Sequence, residues 1–311
     1  MKKEIVPIRD GYGKALLELG EINEKVIVMD ADLSTSTRTN WFAEKYPQRF
    51  VDVGIAEQNM VNVAAGLSLE DKIPFVTTYG VFVCGRAFDQ IRNTVCYSDL
   101  NVKIVGSHGG ISVGPDGGSH QAIEDIGLMR ILPNMTVVVP CDHVQAYKAT
   151  LKLAELKGPG YLRLAREPTA TITSEADKFS LGKADILQKG NDCAIFFAGT
   201  IGAEVIKASE MLKNEGINPT IINMHTIKPL DKEIILEYAK KLKKLVVVEE
   251  HLRAGGLGSA ISSVLTERYP IRIKHIAIED RFGESGQPEV LLDAFGLSAR
   301  KIKKQILDFI Q

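Results

Sequence analysis

Short apolar runs alternate along the chain with stretches whose apolar residues recur every three or four positions. The runs 26–29, 73–77, 102–105, 136–139, 161–164, 194–197, 220–223, 245–248 and 273–276 read as strands. Several are apolar without alternation, which is the pattern of a strand covered on both faces. The stretches 12–19, 58–69, 86–97, 143–156, 203–213, 232–242 and 259–268 read as helices. Strand–helix–strand alternation predicts mainly parallel sheets with helices on both faces, so the chain is expected to be α/β.

One interruption changes this picture. Glu167-Pro168-Thr169-Ala170-Thr171-Ile172-Thr173-Ser174 is polar and without period, and Pro168 disfavours helix at Glu167. It predicts a linker at 167–186 between a first domain, 1–166, and a smaller second domain, 187–311. A length of 311 residues agrees with two domains. Apolar residues make up 45% and charged residues 25%, which excludes a fibrous repeat, a disordered tail and a small disulfide scaffold. The 38 Lys and Arg against 39 Asp and Glu give a net charge of −1, so no overall field favours nucleic acid. No run of about 18 apolar residues is present to cross a membrane. The opening Met1-Lys2-Lys3-Glu4-Ile5-Val6-Pro7 is basic with no apolar stretch behind it, which argues against a signal peptide and for the cytoplasm. Cys84, Cys96, Cys141 and Cys193 are widely spaced and are expected to be buried thiols rather than metal ligands.

The densest polar region is 106–121. It follows the strand 102–105 and precedes a helix expected to start near Ala122, and its six glycines let backbone approach a ligand. Ligands of open α/β sheets bind beyond the carboxyl ends of strands. Asp116 and His120 could there hydrogen-bond a polyhydroxylated substrate; the plainer alternative is a long connector that caps the next helix. A second cluster is 53–61, where Glu57 falls at a helix start that favours a carboxylate. It is either an ordinary first-turn acid or a catalytic carboxylate in apolar surroundings. Gly199-Thr200-Ile201-Gly202 and Ala254-Gly255-Gly256-Leu257-Gly258-Ser259 lack the full dinucleotide fingerprint and read as strand-to-helix turns. The basic tail Arg300-Lys301-Ile302-Lys303-Lys304 reads as a solvated helix face. His143, His225, His251 and His275 have no metal-ligand spacing.

Five motifs, in order, carry a family resemblance. Gly54-Ile55-Ala56-Glu57-Gln58-Asn59-Met60 resembles the pyrimidine-site signature of the transketolase family of thiamine diphosphate enzymes. Gly114-Pro115-Asp116-Gly117-Gly118-Ser119-His120-Gln121 resembles its substrate loop. Pro133-Asn134-Met135 with Pro140-Cys141-Asp142, His225-Thr226-Ile227-Lys228-Pro229-Leu230-Asp231, and Phe282-Gly283-Glu284-Ser285-Gly286 resemble its later segments. The resemblance implies a pyrimidine-binding domain with a mainly parallel sheet, followed by a smaller transketolase C-terminal-like α/β domain. The family's diphosphate-binding domain, with its Gly-Asp-Gly and downstream Asn that hold Mg2+, has no counterpart in this sequence. The resemblance is therefore to the C-terminal subunit of a split transketolase. It implies thiamine diphosphate as cofactor and Mg2+ held by the partner chain. The partner would be an N-terminal subunit, with a dimer of this chain inside a heterotetramer.

The same resemblance implies roles. Glu57 would contact the pyrimidine nitrogen para to the amino group, so that the imino tautomer can take the thiazolium proton; an apolar site would help the carboxyl keep or share its proton. Tyr79 and Phe82 would stack on the pyrimidine, Ile55 would line its site, and a further aromatic of the family's pocket is replaced by Gly85. Asp32 would lie near the cationic ring. Asp116 and His120 would bind hydroxyls of the donor ketose. His108, Arg9, Ser36 and Arg166 would bind a sugar phosphate, for which the arginine fork is suited; among Ser34-Thr35-Ser36-Thr37 the register is open. The leading expectation is transfer of a two-carbon ketol unit between phosphorylated sugars. Alternatives are a deoxyxylulose phosphate synthase-like enzyme, which shares the Asp and His of the loop, and a 2-oxo acid dehydrogenase β subunit, whose substrates would leave Arg9, His108 and Arg166 without a purpose. A non-catalytic relic is the non-enzyme alternative, against which the joint presence of Glu57, Asp116 and His120 stands.

Overall fold

The structure, a computed structural model, describes residues 4–310; residues 1–3, part of the opening used for the signal-peptide reading, lie outside the described residues. The strands in chain order are β1 (Ile5–Pro7), β2 (Val26–Asp30), β3 (Phe50–Asp52), β4 (Ile73–Tyr79), β5 (Lys103–Ser107), β6 (Thr136–Val138), β7 (Gly160–Arg163), β8 (Pro168–Ala170), β9 (Asp185–Gln188), β10 (Ala194–Ala198), β11 (Thr220–Asn223), β12 (Thr226–Lys228), β13 (Leu245–Leu252) and β14 (Ile273–Ile278). Seven form one sheet in the order β12-β6-β7-β5-β4-β2-β3, parallel except for β12. Five form a second sheet, β14-β13-β10-β11-β9, parallel except for β9.

The uninterrupted apolar runs become central strands, with β10 and the last six residues of β4 buried throughout. Helices on both faces account for that burial, as parallel sheets require. One buried cluster runs from Met60 and Val76 through Tyr161 to Phe196 and Val247, so the two sheets share a continuous core. The four cysteines are free and buried. Among the described residues no helix is long and apolar enough to cross a membrane.

Three expectations need correction. The helix expected over 86–97 is two pieces, Gly80–Arg86 and a wider-turn helix Gln90–Cys96. The Arg86 carbonyl accepts from Gln58 Nε2 at 3.0 Å instead of continuing the helical ladder. The helix expected near Ala122 is short and starts later, at Asp125–Arg130. The linker stretch is not irregular throughout: β8 pairs antiparallel with β1, and β9 begins at Asp185. Pro7 in β1, Pro168 in β8 and the polar ends of β9 leave these short strands without an apolar run. β12, also missed, carries the chain's later half back onto the edge of the first sheet.

Candidate active site

The carboxyl edge of the first sheet collects the chemistry. Gly54, at φ +71°, turns the chain from β3 into the helix Glu57–Leu69, and its N–H donates to Asp52 Oδ1 at 2.9 Å. This sets Glu57 in the first helical turn, where the dipole suits a carboxylate. Glu57 is 5% exposed. Its Oε1 accepts from Arg86 Nη1 at 2.8 Å, and the Arg86 guanidinium carbon lies 4.1 Å from the centre of the Phe82 ring. Phe82 and Arg86 are four residues apart on one helix, so they share a face. An open cavity of about 420 Å³ lies between residues 55–59 and Arg86, with Ile55 74% exposed at its mouth. A Cβ built on Gly85 meets nothing within 4 Å, so that wall is absent.

This end fits one half of thiamine diphosphate. A planar, delocalised, N–H-bearing group stacked on Phe82 and hydrogen-bonded to Glu57 is what Arg86 already provides, and an aminopyrimidine has the same character. Among the described residues there is no group of three or more His, Cys, Asp or Glu that could hold a metal.

Phe82 links this end to the next. Its ring centre is 5.8 Å from that of Tyr79 and 5.3 Å from that of His120, which stands edge-on. His120 Nδ1 is engaged by Ser119 Oγ at 3.0 Å, leaving Nε2 for a ligand. Tyr79, the last residue of β4, stacks on His108 at 3.8 Å. His108 follows β5 in a left-handed conformation, φ +60°, and is 1% exposed. Burial, with Arg9 and Arg166 nearby, pushes its imidazole down to about 3, so it is neutral at physiological pH. Ser107 Oγ lies 2.9 Å from His108 Nδ1, and Arg9 Nη1 lies 3.5 Å from Nε2.

Arg9 comes from the start of the helix Ile8–Ile22 and donates to the Ser36 carbonyl at 2.9 Å. Ser36 thus meets this cluster through its carbonyl. Arg9 Nε is buried with no partner among the described residues. Burial and the neighbouring Arg38 and Arg166 lower the Arg9 pKa. An unpartnered buried N–H beside crowded cations is suited to an anion. Arg166 completes the end: it donates to the Val113 carbonyl at 2.7 Å and lies 3.7 Å from Asp116.

The residues expected from the sequence therefore assemble in one line, from Glu57 through Phe82, His120, Tyr79 and His108 to Arg9, with Asp116 and Arg166 beside the last. Asp32 reaches it only through Asp52 Oδ1, which also accepts the Gly54 N–H. Asp32 is exposed, and its N–H donates to Asp52 Oδ1 at 3.1 Å. Its buried neighbour Asp30 accepts from Thr37, Thr39 and the Leu33 N–H, and burial raises its carboxyl to about 6. Arg86 was missed by sequence reasoning. Its i, i+4 relation to Phe82 was the available signal, but nothing local places it on Glu57, 29 residues away.

Residues 5–170 match the family model of the transketolase pyrimidine binding domain, and residues 182–302 match that of the transketolase C-terminal domain. The class is thus that of thiamine diphosphate-dependent enzymes with these two α/β modules. The chain belongs to the transketolase family. A split gene transketolase, solved as an inactive β4 tetramer, superposes with a TM-score of 0.92 at 46% identity, covering 98% of each chain. A 6-deoxy-6-sulfo-D-fructose transketolase subunit of Clostridium sp. (strain MSTE9) is 40% identical over 295 residues, 95% of this chain and 92% of that one. Human transketolase is 37% identical over 309 residues, which are 98% of this chain and 49% of the human one. The chain thus spans about half the length of the full-size relatives it matches.

Proposed function

We propose that this chain is the C-terminal subunit of a two-chain transketolase that moves a two-carbon ketol unit from a ketose phosphate to an aldose phosphate. The observation that carries the reading is the single line of contacts from a helix-start carboxylate and an aromatic face to a half-buried arginine whose Nε is buried with no partner among the described residues. Such a line offers one end to a planar heterocycle and the other to an anionic sugar. The 49% coverage of human transketolase supports a partner that supplies the rest. In this reading the partner holds Mg2+ and the diphosphate, and two copies of each chain form the assembly. The domain division at 167–186 belongs to the same proposal.

Thiamine diphosphate, when bound, supplies the carbon nucleophile that cleaves the ketose. The chain's own residues do the rest. Arg86 yields its place over Phe82, and Glu57 Oε1 then holds or shares a proton with the pyrimidine nitrogen. Tyr79 and Phe82 keep that face dry. His120 Nε2 and Asp116 meet donor hydroxyls, with Ser119 fixing the His120 ring. Arg9 and Arg166 take the terminal anion, and the neutral His108 holds Arg9 in register.

The sulfosugar named for the Clostridium relative supports a second reading, in which the terminal group is a sulfonate. Both anions present tetrahedral oxygens to Arg9 and Arg166. The test is ketol transfer by the chain alone and with an N-terminal subunit carrying Gly-Asp-Gly, on phosphorylated and sulfonated donors. Activity only in the complex is expected. Full activity of the isolated chain overturns the split-subunit reading, and turnover that ignores the terminal anion overturns the substrate class.

A further inference from the structure

The loop bearing Asp116 and His120 is not shaped by the first sheet alone. Residues from the far half of the chain grip both of its ends. At its start, Glu250, on β13 of the second sheet, accepts the Ser112 N–H on Oε1 at 2.6 Å, across 138 residues of sequence. Glu250 is 4% exposed. Gly110 has φ +90°, and a Cβ there would overlap the Glu250 carboxylate, so the backbone is pressed against that side chain. At the loop's end, Gln121 Nε2 donates to the Ile111 carbonyl and to the Glu284 carbonyl, both at 3.0 Å. Between these points a Cβ on Gly118 would lie 2.6 Å from the Gly283 carbonyl oxygen.

Arg163 ties the grip to the first sheet. Its Nε donates to Asp125 Oδ2 at 2.9 Å, and its Nη2 donates to the Ala122 and Glu250 carbonyls, each at 3.0 Å. The Glu250 and Arg163 bonds are buried, where a hydrogen bond to a charged group is worth about 1.5–3 kcal/mol, or roughly 10- to 150-fold in an equilibrium. Glycine-rich backbone has no side chains of its own to hold a conformation. The order of the loop must come from what it rests on.

We propose that the C-terminal half acts as the mould of the sugar-binding loop, with Glu250 a positioning residue that sets Asp116 and His120 through the Ser112 N–H. This gives the second sheet a part in donor selection without touching substrate. It rests on the reading of the loop as the donor site, and the test separates the two.

The variants are Glu250→Ala, which removes the acceptor, and Glu250→Gln, which keeps it, in the full chain and in its complex with the N-terminal subunit. Amide exchange over residues 110–121 is measured in the full chain. Expected in Glu250→Ala is a 10- to 150-fold loss of protection, with Glu250→Gln within about threefold of the wild type. In the complex, kcat/KM for a ketose phosphate should fall at least tenfold for Glu250→Ala, since displacement of about 1 Å can cost 100-fold. Deuterium exchange at the cofactor's thiazolium carbon, which depends on Glu57, should stay within twofold. Unchanged loop protection, or equal losses in donor turnover and thiazolium exchange, overturns the proposal. Should Glu250→Ala fail to fold, Glu250→Gln decides: a tenfold loss of donor turnover with loop protection kept overturns it. A wild-type complex inactive on every ketose fails the donor-site reading instead, and amide exchange alone then decides the mould.

Discussion

The two ends of this line of residues are built on opposite plans. At the Glu57 end the cavity is open, Ile55 is exposed, and a half-exposed arginine supplies the ion pair. At the Arg9 end the imidazole is almost wholly buried, the guanidinium is half-buried, and backbone carbonyls hold both arginines. The closed end is organised in advance by this chain's own loops. The open end has an aromatic face, Phe82 under Arg86, and an exposed mouth at Ile55.

The largest test of the contrast is at the open end. Glu57→Gln keeps the size and a hydrogen bond but cannot give up a proton. Thiazolium deuterium exchange in the assembled complex should slow by about 100- to 10,000-fold, the span of acid–base catalysis. Unchanged exchange would remove Glu57 from the chemistry and leave the open end merely structural.

The next effect belongs to the closed end. Arg166→Ala should lower kcat/KM for a ketose phosphate by roughly 10- to 150-fold, the worth of a charged hydrogen bond. A small unphosphorylated donor such as hydroxypyruvate does not reach that site and should be little affected. Equal loss with both donors would make Arg166 a support for the Val113 carbonyl and nothing more.

His108 sharpens the contrast through pH. The native imidazole stays neutral down to about 3, whereas the unfolded side chain takes up a proton near its ordinary value of 6.5. Between these values the unfolded state binds more protons, so stability rises with pH and is lost as pH falls below 6.5. Denaturation of the wild type and His108→Gln from pH 6.5 to 4.5 should differ in slope by at most about 1.4 kcal/mol per pH unit. Asp30 works in the opposite direction. Its native carboxyl titrates near 6 against an ordinary 3.8, so its contribution falls as pH rises between them. Parallel slopes in wild type and variant would mean that His108 is protonated in the fold.

The smallest effect is Arg86→Ala. Its side chain is 51% exposed, so the ion pair with Glu57 is screened and its loss should cost less than about 1 kcal/mol. Urea midpoints at pH 7 measure it. A loss several times larger would mean that the open end is as firmly organised as the closed one.

Much of this could be read from residues in order. The apolar runs became the strands β2, β4, β5, β6, β7, β10, β11, β13 and β14, because most strands of sheets covered on both faces are apolar at nearly every position. Glu57 at a helix start and the 106–121 loop at a sheet edge were legible for local reasons: a glycine turn in one case, a glycine cluster after a strand in the other. The short strands β1, β8, β9 and β12 were not, since Pro in β1 and β8 and polar residues in β9 and β12 break any apolar run.

What the sequence by itself determined is the alternation of elements, the class of sheet and the kinds of side chain at its carboxyl edge. Only the tertiary structure decided their states and partners. Arg86 on Glu57, His108 held neutral beneath Tyr79, and Glu250 beneath Ser112 all join residues 29 to 138 positions apart. A period reports which face of an element is covered. It does not report by what, because that depends on how two sheets dock, and docking sets the burial and the charges that each group meets.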